Sequence, residues 1–210
     1  MTKTAVLMDG GYVISAYKQE NKEQLPSADQ IINLAKSCLD HDDLLFRIFF
    51  YDCRPFDKEL TFPGTGNKKD FSKSPEYTRR SILYSILSKK DNVAFRSGDL
   101  KFRGWGIGKG KINQLTTNTQ TFSPSDLKPS FQQKGVDIKI GIDIASLSIK
   151  RIVDKIVLLT NDTDFIPAMK FARREGTQIA LYSMTNQQVT PELKEHADFI
   201  RQVSFEDCSA

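Results

Sequence analysis

The sequence predicts an α/β fold built on a mainly parallel central sheet with helices on both faces. Three observations carry this reading. Short apolar runs suited to buried strands recur at residues 4–8, 44–51, 155–160 and 178–182, with helical patterns between them. Two of these runs lead directly into aspartates, Asp9 and Asp162, where a parallel sheet places its ligands. The 210 residues, 39% hydrophobic and 27% charged, suffice for one buried core and exclude collagen-like, disordered and coiled-coil classes.

Residues 4–8 (TAVLM) read as a buried strand entering a tight turn at Asp9-Gly10-Gly11. Ser27 and Gln30 form a capping-box pair, and Ile31, Leu34, Ala35 and Cys38 follow at helical spacing. Residues 44–51 (LLFRIFFY) are a second strand, closed by Asp52-Cys53-Arg54-Pro55. Residues 53–75 are rich in Gly, Pro, Lys and Ser without a steady period, so a loop or lid is expected. A helix is expected over about 76–90 with Leu83, Ile86 and Leu87 inward, then a strand over about 93–102. Residues 104–133 begin with a glycine and lysine run around Trp105 and continue in Thr, Asn, Gln and Ser, which reads as an insertion without a core of its own.

The last third is the most regular. After the strand at 155–160 (KIVLLT), Phe165, Ala168, Met169 and Ala172 show the spacing of an amphipathic helix. Pro167 fits only a first turn, which sets the helix start near Asp164, and Gly176 ends it. A strand at 178–182, a short helix near 191–196 and an extended piece at 199–203 complete the chain. One domain over residues 1–205 is expected, with basic insertions at about 53–75 and 96–133.

The formal net charge of +4 conceals an uneven distribution. Residues 53–113 hold 14 Lys/Arg against 6 Asp/Glu, while the remainder holds 16 against 20. A basic middle between acidic flanks points to a polyanionic partner for the one and gathered carboxylates in the other. The chain has neither an apolar run of membrane-spanning length nor a signal-peptide pattern, so a cytoplasmic protein with no membrane partner is expected. Cys38, Cys53 and Cys208 have no zinc-binding spacing and are expected as free thiols, and His41 and His196 stand too far apart for a histidine-based site.

The candidate chemistry is therefore carboxylate chemistry. Asp9 follows the first strand, and Asp162 and Asp164 follow the strand at 155–160 two residues apart, with a helix N-terminus just beyond. Asp137 and Asp143 belong to KGVDIKIGID; on one helix they stand roughly 120° apart and ~9 Å along the axis, too far to share an ion. Asp143 is the stronger choice of the two, with Asp137 available to position Lys134, Lys139 or a water. Carboxylates without His or Cys are oxygen-only ligands suited to Mg²⁺ or Mn²⁺, and such sites hydrolyse phosphodiesters. Arg54, Lys68, Lys69, Arg79, Arg103, Lys109, Lys111 and Lys134 are the candidate phosphate contacts, with Trp105 either offering an aromatic face to a base or, equally, packing on the body from a flexible hairpin. The glycine run itself has neither the phosphate-loop nor the dinucleotide spacing.

The run Lys134-Gly135-Val136-Asp137, then Asp143, then KIVLLTNDTDFIPAMKFARREGTQIALYS, preceded by AVLMDGGY, resembles the NYN domain of the PIN-like nuclease group, in a bacterial variant with Asp-Gly-Gly after the first strand. The likeness covers the first dozen residues and about 133–203, and is most specific at Asp162-Thr163-Asp164-Phe165-Ile166-Pro167. It implies a Rossmann-like three-layer sandwich and metal-dependent RNA cleavage. Carried over, Asp9, Asp143, Asp162, Asp164 and Asp137 would be the catalytic acids, the first four of them metal ligands. Many NYN sequences place an Asn three residues after the first Asp, where this chain has Tyr12; Asn161 is a substitute polar contact.

The leading expectation is a divalent-metal-dependent ribonuclease, with single-stranded DNA as a second candidate substrate and a homodimer among the candidate assemblies. The alternatives are an RNA-binding or regulatory module on the same fold, a nucleotide-sugar transferase using Asp162-Thr163-Asp164, and an aspartyl phosphatase. The last is disfavoured because no second Asp follows Asp9 two residues on.

Overall fold

A computed structural model describes residues 1–108, 112, 123–185 and 187–206 of the protein. Nine strands, β1 (Thr2–Asp9), β2 (Asp43–Cys53), β3 (Glu59–Thr61), β4 (Lys68–Asp70), β5 (Val93–Ile107), β6 (Leu127–Lys134), β7 (Lys155–Leu159), β8 (Gln178–Met184) and β9 (Phe199–Val203), are found among these residues. The helices are α1 (Gly10–Glu20), α2 (Ala28–Ser37), α3 (Pro75–Leu87), α4 (Val136–Ile149), α5 (Ile166–Arg174) and the single turn α6 (Pro191–Lys194). Seven strands form one sheet in the order β6-β5-β2-β1-β7-β8-β9, parallel throughout except at β6, and β3 with β4 makes a small separate ribbon.

Alternation along the strands makes the sandwich. In β1, Val6 and Met8 pack with Val13, Ile31, Leu34 and Leu83 of α1, α2 and α3, whereas Ala5 and Leu7 pack with Ile140, Ile144 and Met169 of α4 and α5. A strand buried on both faces reads as a continuous apolar run, which is why TAVLM carried no period. The α/β three-layer expectation is met, and the Ser27–Gln30 capping box closes at 3.1 and 2.8 Å as its spacing requires. Cys53 is a buried free thiol, Cys38 is buried with its Sγ donating to the Leu34 carbonyl at 3.2 Å, and Cys208 lies outside the described residues.

Three elements differ from expectation. Gly10 and Gly11 open a helix instead of a turn. A Cβ on Gly10 would stand 2.5 Å from the Tyr51 carbonyl oxygen and 2.8 Å from the Phe50 ring, so glycine admits a close approach of α1 to β2 despite its poor helix propensity. Residues 127–134, read as part of a polar insertion, form β6. The strand β5 lies beside β2 only over residues 93–98; beyond that it extends past β2 and pairs with β6 alone, as a two-stranded arm at the edge of the sheet, from Asp99 opposite Lys134 to Ile107 opposite Leu127. Finally, the 53–75 segment docks on this arm through aromatic rings: Phe56 lies 5.0 Å from Phe131, and Phe62 lies 4.5 Å from Trp105. Such ring pairs contribute about 0.5–1.5 kcal/mol each beyond their burial.

Candidate functional site

The chain runs from β1 to β2 on one side and reaches β7 on the other, so the carboxyl end of β1 is the topological switch point of the sheet. Asp9 stands there. Its extended backbone lets its Oδ1 accept from the Tyr12 backbone N–H at 3.2 Å, capping α1. The Tyr12 hydroxyl accepts from the Met184 backbone N–H at 2.9 Å, which ties α1 to the end of β8.

The turn after β7 supplies the second carboxylate. The Asp162 Oδ1 accepts from the Asp164 N–H at 2.9 Å and so caps the 3-10 turn Thr163–Phe165 that leads into α5. Thr160 links it to Asp9: its hydroxyl lies 3.5 Å from Asp9 Oδ2 and accepts the Asp162 backbone N–H at 3.1 Å. Asp164 is exposed one step outward. Residues Asp9, Tyr12, Gln133, Asp137, Asn161 and Asp162 share one open cleft of about 630 Å³.

The two aspartates of KGVDIKIGID part company. Gly135, at φ +81°, turns the chain sharply from β6 into α4, which puts Asp137 in the first helical turn facing the cleft. Asp143 lies two turns further along and faces β2 and β5, where it accepts from the Tyr51 hydroxyl at 2.8 Å and pairs with Arg96 at 3.1 Å. The sequence favoured Asp143 over Asp137 as the helix-borne site residue; the geometry reverses that order, because the helix begins at Val136. Lys139, expected near Asp137, donates to the Ser97 carbonyl instead.

Electrostatics mark the same group of residues. Burial raises the Asp9 carboxyl to about 6 against the lowering effect of the Tyr12 N–H, and the charges of Asp52, Asp137 and Asp162 push it further up. Asp137 is raised by its own burial and then by Asp162 and Asp164. Among the described residues Asp52 is paired with Arg80, whereas no ion pair neutralises Asp9, Asp137, Asp162 or Asp164, and no three His, Cys, Asp or Glu are gathered closely enough to hold a metal ion. Three buried side-chain polar atoms lack a partner among the described residues, and two of them, Asn161 Oδ1 and Thr190 Oγ1, belong to residues lining this cleft. The Asn161 amide nitrogen donates to the Gln188 carbonyl at 3.1 Å, which leaves its oxygen as the spare ligand.

Sequence reasoning missed Asp52, Thr160 and Gln133. Asp52 is 1% exposed at the end of β2, where it accepts from Arg80, Tyr84 and its neighbour's N–H, and its charge reaches Asp9. Its position after an apolar strand is the same signal that singled out Asp9.

None of the basic candidates among the described residues lines the cleft itself. Lys134 ends β6 beside Gln133, and Lys69 lies over the Phe71 ring at 5.0 Å. Arg54 covers Phe95, Lys68 pairs with Glu59 at 3.0 Å, Arg79 points from α3, and Arg103 donates to Gln132. Trp105 packs against Phe62 at 4.5 Å and Phe102 at 5.6 Å, the packing role that is one of its two expected readings. Lys109 and Lys111 lie outside the described residues.

No helix among the described residues is long and apolar enough to cross a membrane. No curated protein matches the chain. Its fold is similar to the crystal structure of a protein of unknown function from Vibrio parahaemolyticus, at 15% identity and a TM-score of 0.54, over 99% of this chain and 94% of that one. The NYN domain family matches residues 3–203, essentially the whole length over which the sheet and its aspartate cleft are built. The chain therefore belongs to the NYN domain family of the PIN-like nuclease superfamily.

Proposed function

We propose that the protein is a divalent-metal-dependent ribonuclease whose site is the cleft at the end of β1. The observation that carries this reading is the meeting of Asp9, Asp137 and Asp162 from two strand ends and one helix start in one cleft, with Asp164 just outside it, unpaired among the described residues and with Asp9 and Asp137 raised first by burial and then by the carboxylate charges around them. Like charges in that arrangement call for a counter-charge, and an oxygen-only donor set fits Mg²⁺ or Mn²⁺ in preference to zinc. The unpartnered Asn161 oxygen adds a neutral donor of the same kind. A bound divalent ion would supply an activated water and stabilise the phosphoryl oxygens during hydrolysis.

The protein's own groups have separable tasks. Since no three carboxylates among the described residues stand close enough to ligate one ion together, Asp9, Asp137 and Asp162 would hold it partly through its retained waters, as Mg²⁺ allows, with Asp164 at the outer rim. Thr160 fixes the relative orientation of Asp9 and Asp162. The N-terminus of α4, behind Asp137, directs its positive dipole end at the incoming phosphate. Lys134, Lys69 and the other cations of the arm and of the 53–75 segment draw the polyanion toward the cleft.

Cleavage of a mixed RNA pool with Mg²⁺ or Mn²⁺ tests this directly, comparing the wild type with Asp162→Asn. Loss of about 100-fold in rate is expected for the variant; equal rates would remove the site. A second reading, an RNA-binding module without cleavage, is favoured by Tyr12, whose hydroxyl is committed to Met184 where many relatives present an amide. Salt-dependent RNA binding that survives EDTA, with no cleavage under either metal, would establish it.

A further inference from the structure

Beside the aspartate cleft lies a second cavity of about 340 Å³ between α3, the end of β2, and the β5–β6 arm. Its wall is aromatic. Phe56, Phe71 and Phe131 meet one another at 5.0 to 5.6 Å, and all three are only half-buried, so their outer faces remain available. Its floor is polar: Asp52 holds Arg80 at 3.1 Å, and Arg80 is further fixed by Glu76 at 2.7 Å and the Tyr84 hydroxyl at 2.8 Å. The bonds to these three partners use Nε and Nη1 of Arg80, and the planar guanidinium is thereby held rigid in a pocket too small for a strand. The volume falls at the low end of the roughly 300–1,000 Å³ of small-ligand sites.

Gln133 connects this cavity to the cleft, since it lines both. Its amide lies over the start of α1, 3.7 Å from where a Cβ on Gly11 would stand. A ligand in the cavity is therefore a near neighbour of whatever occupies the site at Asp9. Lys69, which also lines the cavity, adds a cation at the rim.

We propose that this cavity is a nucleobase pocket: an unstacked base of the RNA, close to the phosphate under attack, enters it, stacks on the Phe56–Phe71–Phe131 wall and is met by Arg80 and Gln133. The proposal rests on the reading of the neighbouring cleft as an RNA site. Aromatic walls take any base by its π-face, whereas a fixed guanidinium and an amide hydrogen-bond its edge. The pocket would thus convert a phosphate-binding groove into one that requires a base at a defined position.

The test uses binding, so it does not depend on cleavage. Fluorescently labelled short single-stranded RNA, homopolymers of each base and an abasic strand of equal length, is titrated into the full chain carrying Asp162→Asn in EDTA. Base-bearing strands should bind about tenfold tighter than the abasic strand, and Phe131→Leu, which keeps apolar volume but removes a ring, should erase most of that difference while leaving abasic binding unchanged. Gln133→Ala, an exposed change that spares the aromatic packing, should reduce the spread among the four homopolymers. Equal binding of abasic and base-bearing strands, or equal weakening of both by Phe131→Leu, would overturn the pocket and leave the cleft standing. Failure of every strand to bind would overturn both, and binding with full base dependence but no cleavage by the wild type would sink the nuclease reading alone.

Discussion

The Tyr51 hydroxyl donates to the Asp143 carboxylate at 2.8 Å and, with the Arg96 ion pair, occupies it on the far side of α4 from the cleft. Burial and the Asp143 charge push the Tyr51 hydroxyl well above its ordinary range, so it remains a donor at any working pH. Asp137, on the same helix, has no such partners among the described residues and faces Asp162.

The two aspartates should therefore separate in function. Asp137→Asn is expected to lower RNA cleavage by about 100-fold, the scale of losing one charge from a preorganised site. Asp143→Asn should cost less than about tenfold in rate, with its main effect on stability, since the amide keeps one acceptor oxygen for two donors and removes the charge that pairs with Arg96. Steady-state cleavage and urea unfolding of both variants decide it, and the opposite order of rates would return Asp143 to the site.

Asp9 predicts a pH dependence. Its carboxyl is raised from 3.8 to about 6 in the native state, so between those values the folded chain keeps a proton that the unfolded chain has released. Its contribution to stability therefore falls as pH rises through that window and is constant above it, a change of about 3 kcal/mol. Asp9→Asn keeps the helix cap and removes the titration. The variant should gain stability relative to wild type between about pH 4 and about pH 6, then run parallel to it. Urea midpoints across the window measure this, and a pH-independent difference would refute it. Mn²⁺ should raise the wild-type midpoint strongly above about pH 6 and weakly below it, because the ion must displace the Asp9 proton.

These expectations show how the sequence divided into legible and illegible parts. Strand-helix alternation, the Ser27 cap, Pro167 in a first turn and the aspartates at the ends of β1 and β7 follow from local pattern, and all fall where pattern put them. The start of α4 does not: it depends on Gly135 adopting positive φ, and without that boundary the sequence ranks Asp143 ahead of Asp137. Helix α1 was hidden because Gly10 is chosen for its contact with Tyr51, a residue far away in sequence, against its own propensity. Strand β6 was hidden because LKPSFQQK is half exposed, and its one partner is the part of β5 that extends beyond β2. Asp52, Thr160 and Gln133 join the site through neighbours in space, which spacing along the chain does not reveal.

Tyr12 acts as a strap between α1 and β8, because its hydroxyl is the acceptor for the buried Met184 N–H. Tyr12→Phe keeps the ring and strands that donor, at a cost of about 1–2 kcal/mol. The urea midpoint should drop with the slope unchanged. An unchanged midpoint would mean that the strap contributes nothing, and position 12 would then be free to be read as a site residue alone.

Trp105 is the one tryptophan of the chain, which makes its packing directly observable. Clamped between Phe62 and Phe102, it holds the 53–75 segment against the β5–β6 arm. Trp105→Ala removes one ring contact across the docking surface and one within the arm, together about 1–3 kcal/mol, and leaves the Phe56–Phe131 and Phe71–Phe131 contacts to hold the rest. Limited proteolysis should then cut within residues 56–73 at a much higher rate, while the unfolding midpoint of the main sheet barely moves, since the two large cores lie elsewhere. Phe62→Ala should reproduce this and also shift the Trp105 emission toward that of a solvated indole. RNA should leave the emission of the wild type nearly unchanged, because the ring is already occupied by its neighbours; strong quenching on RNA binding would show that bases displace Phe62 and that the arm opens to receive them.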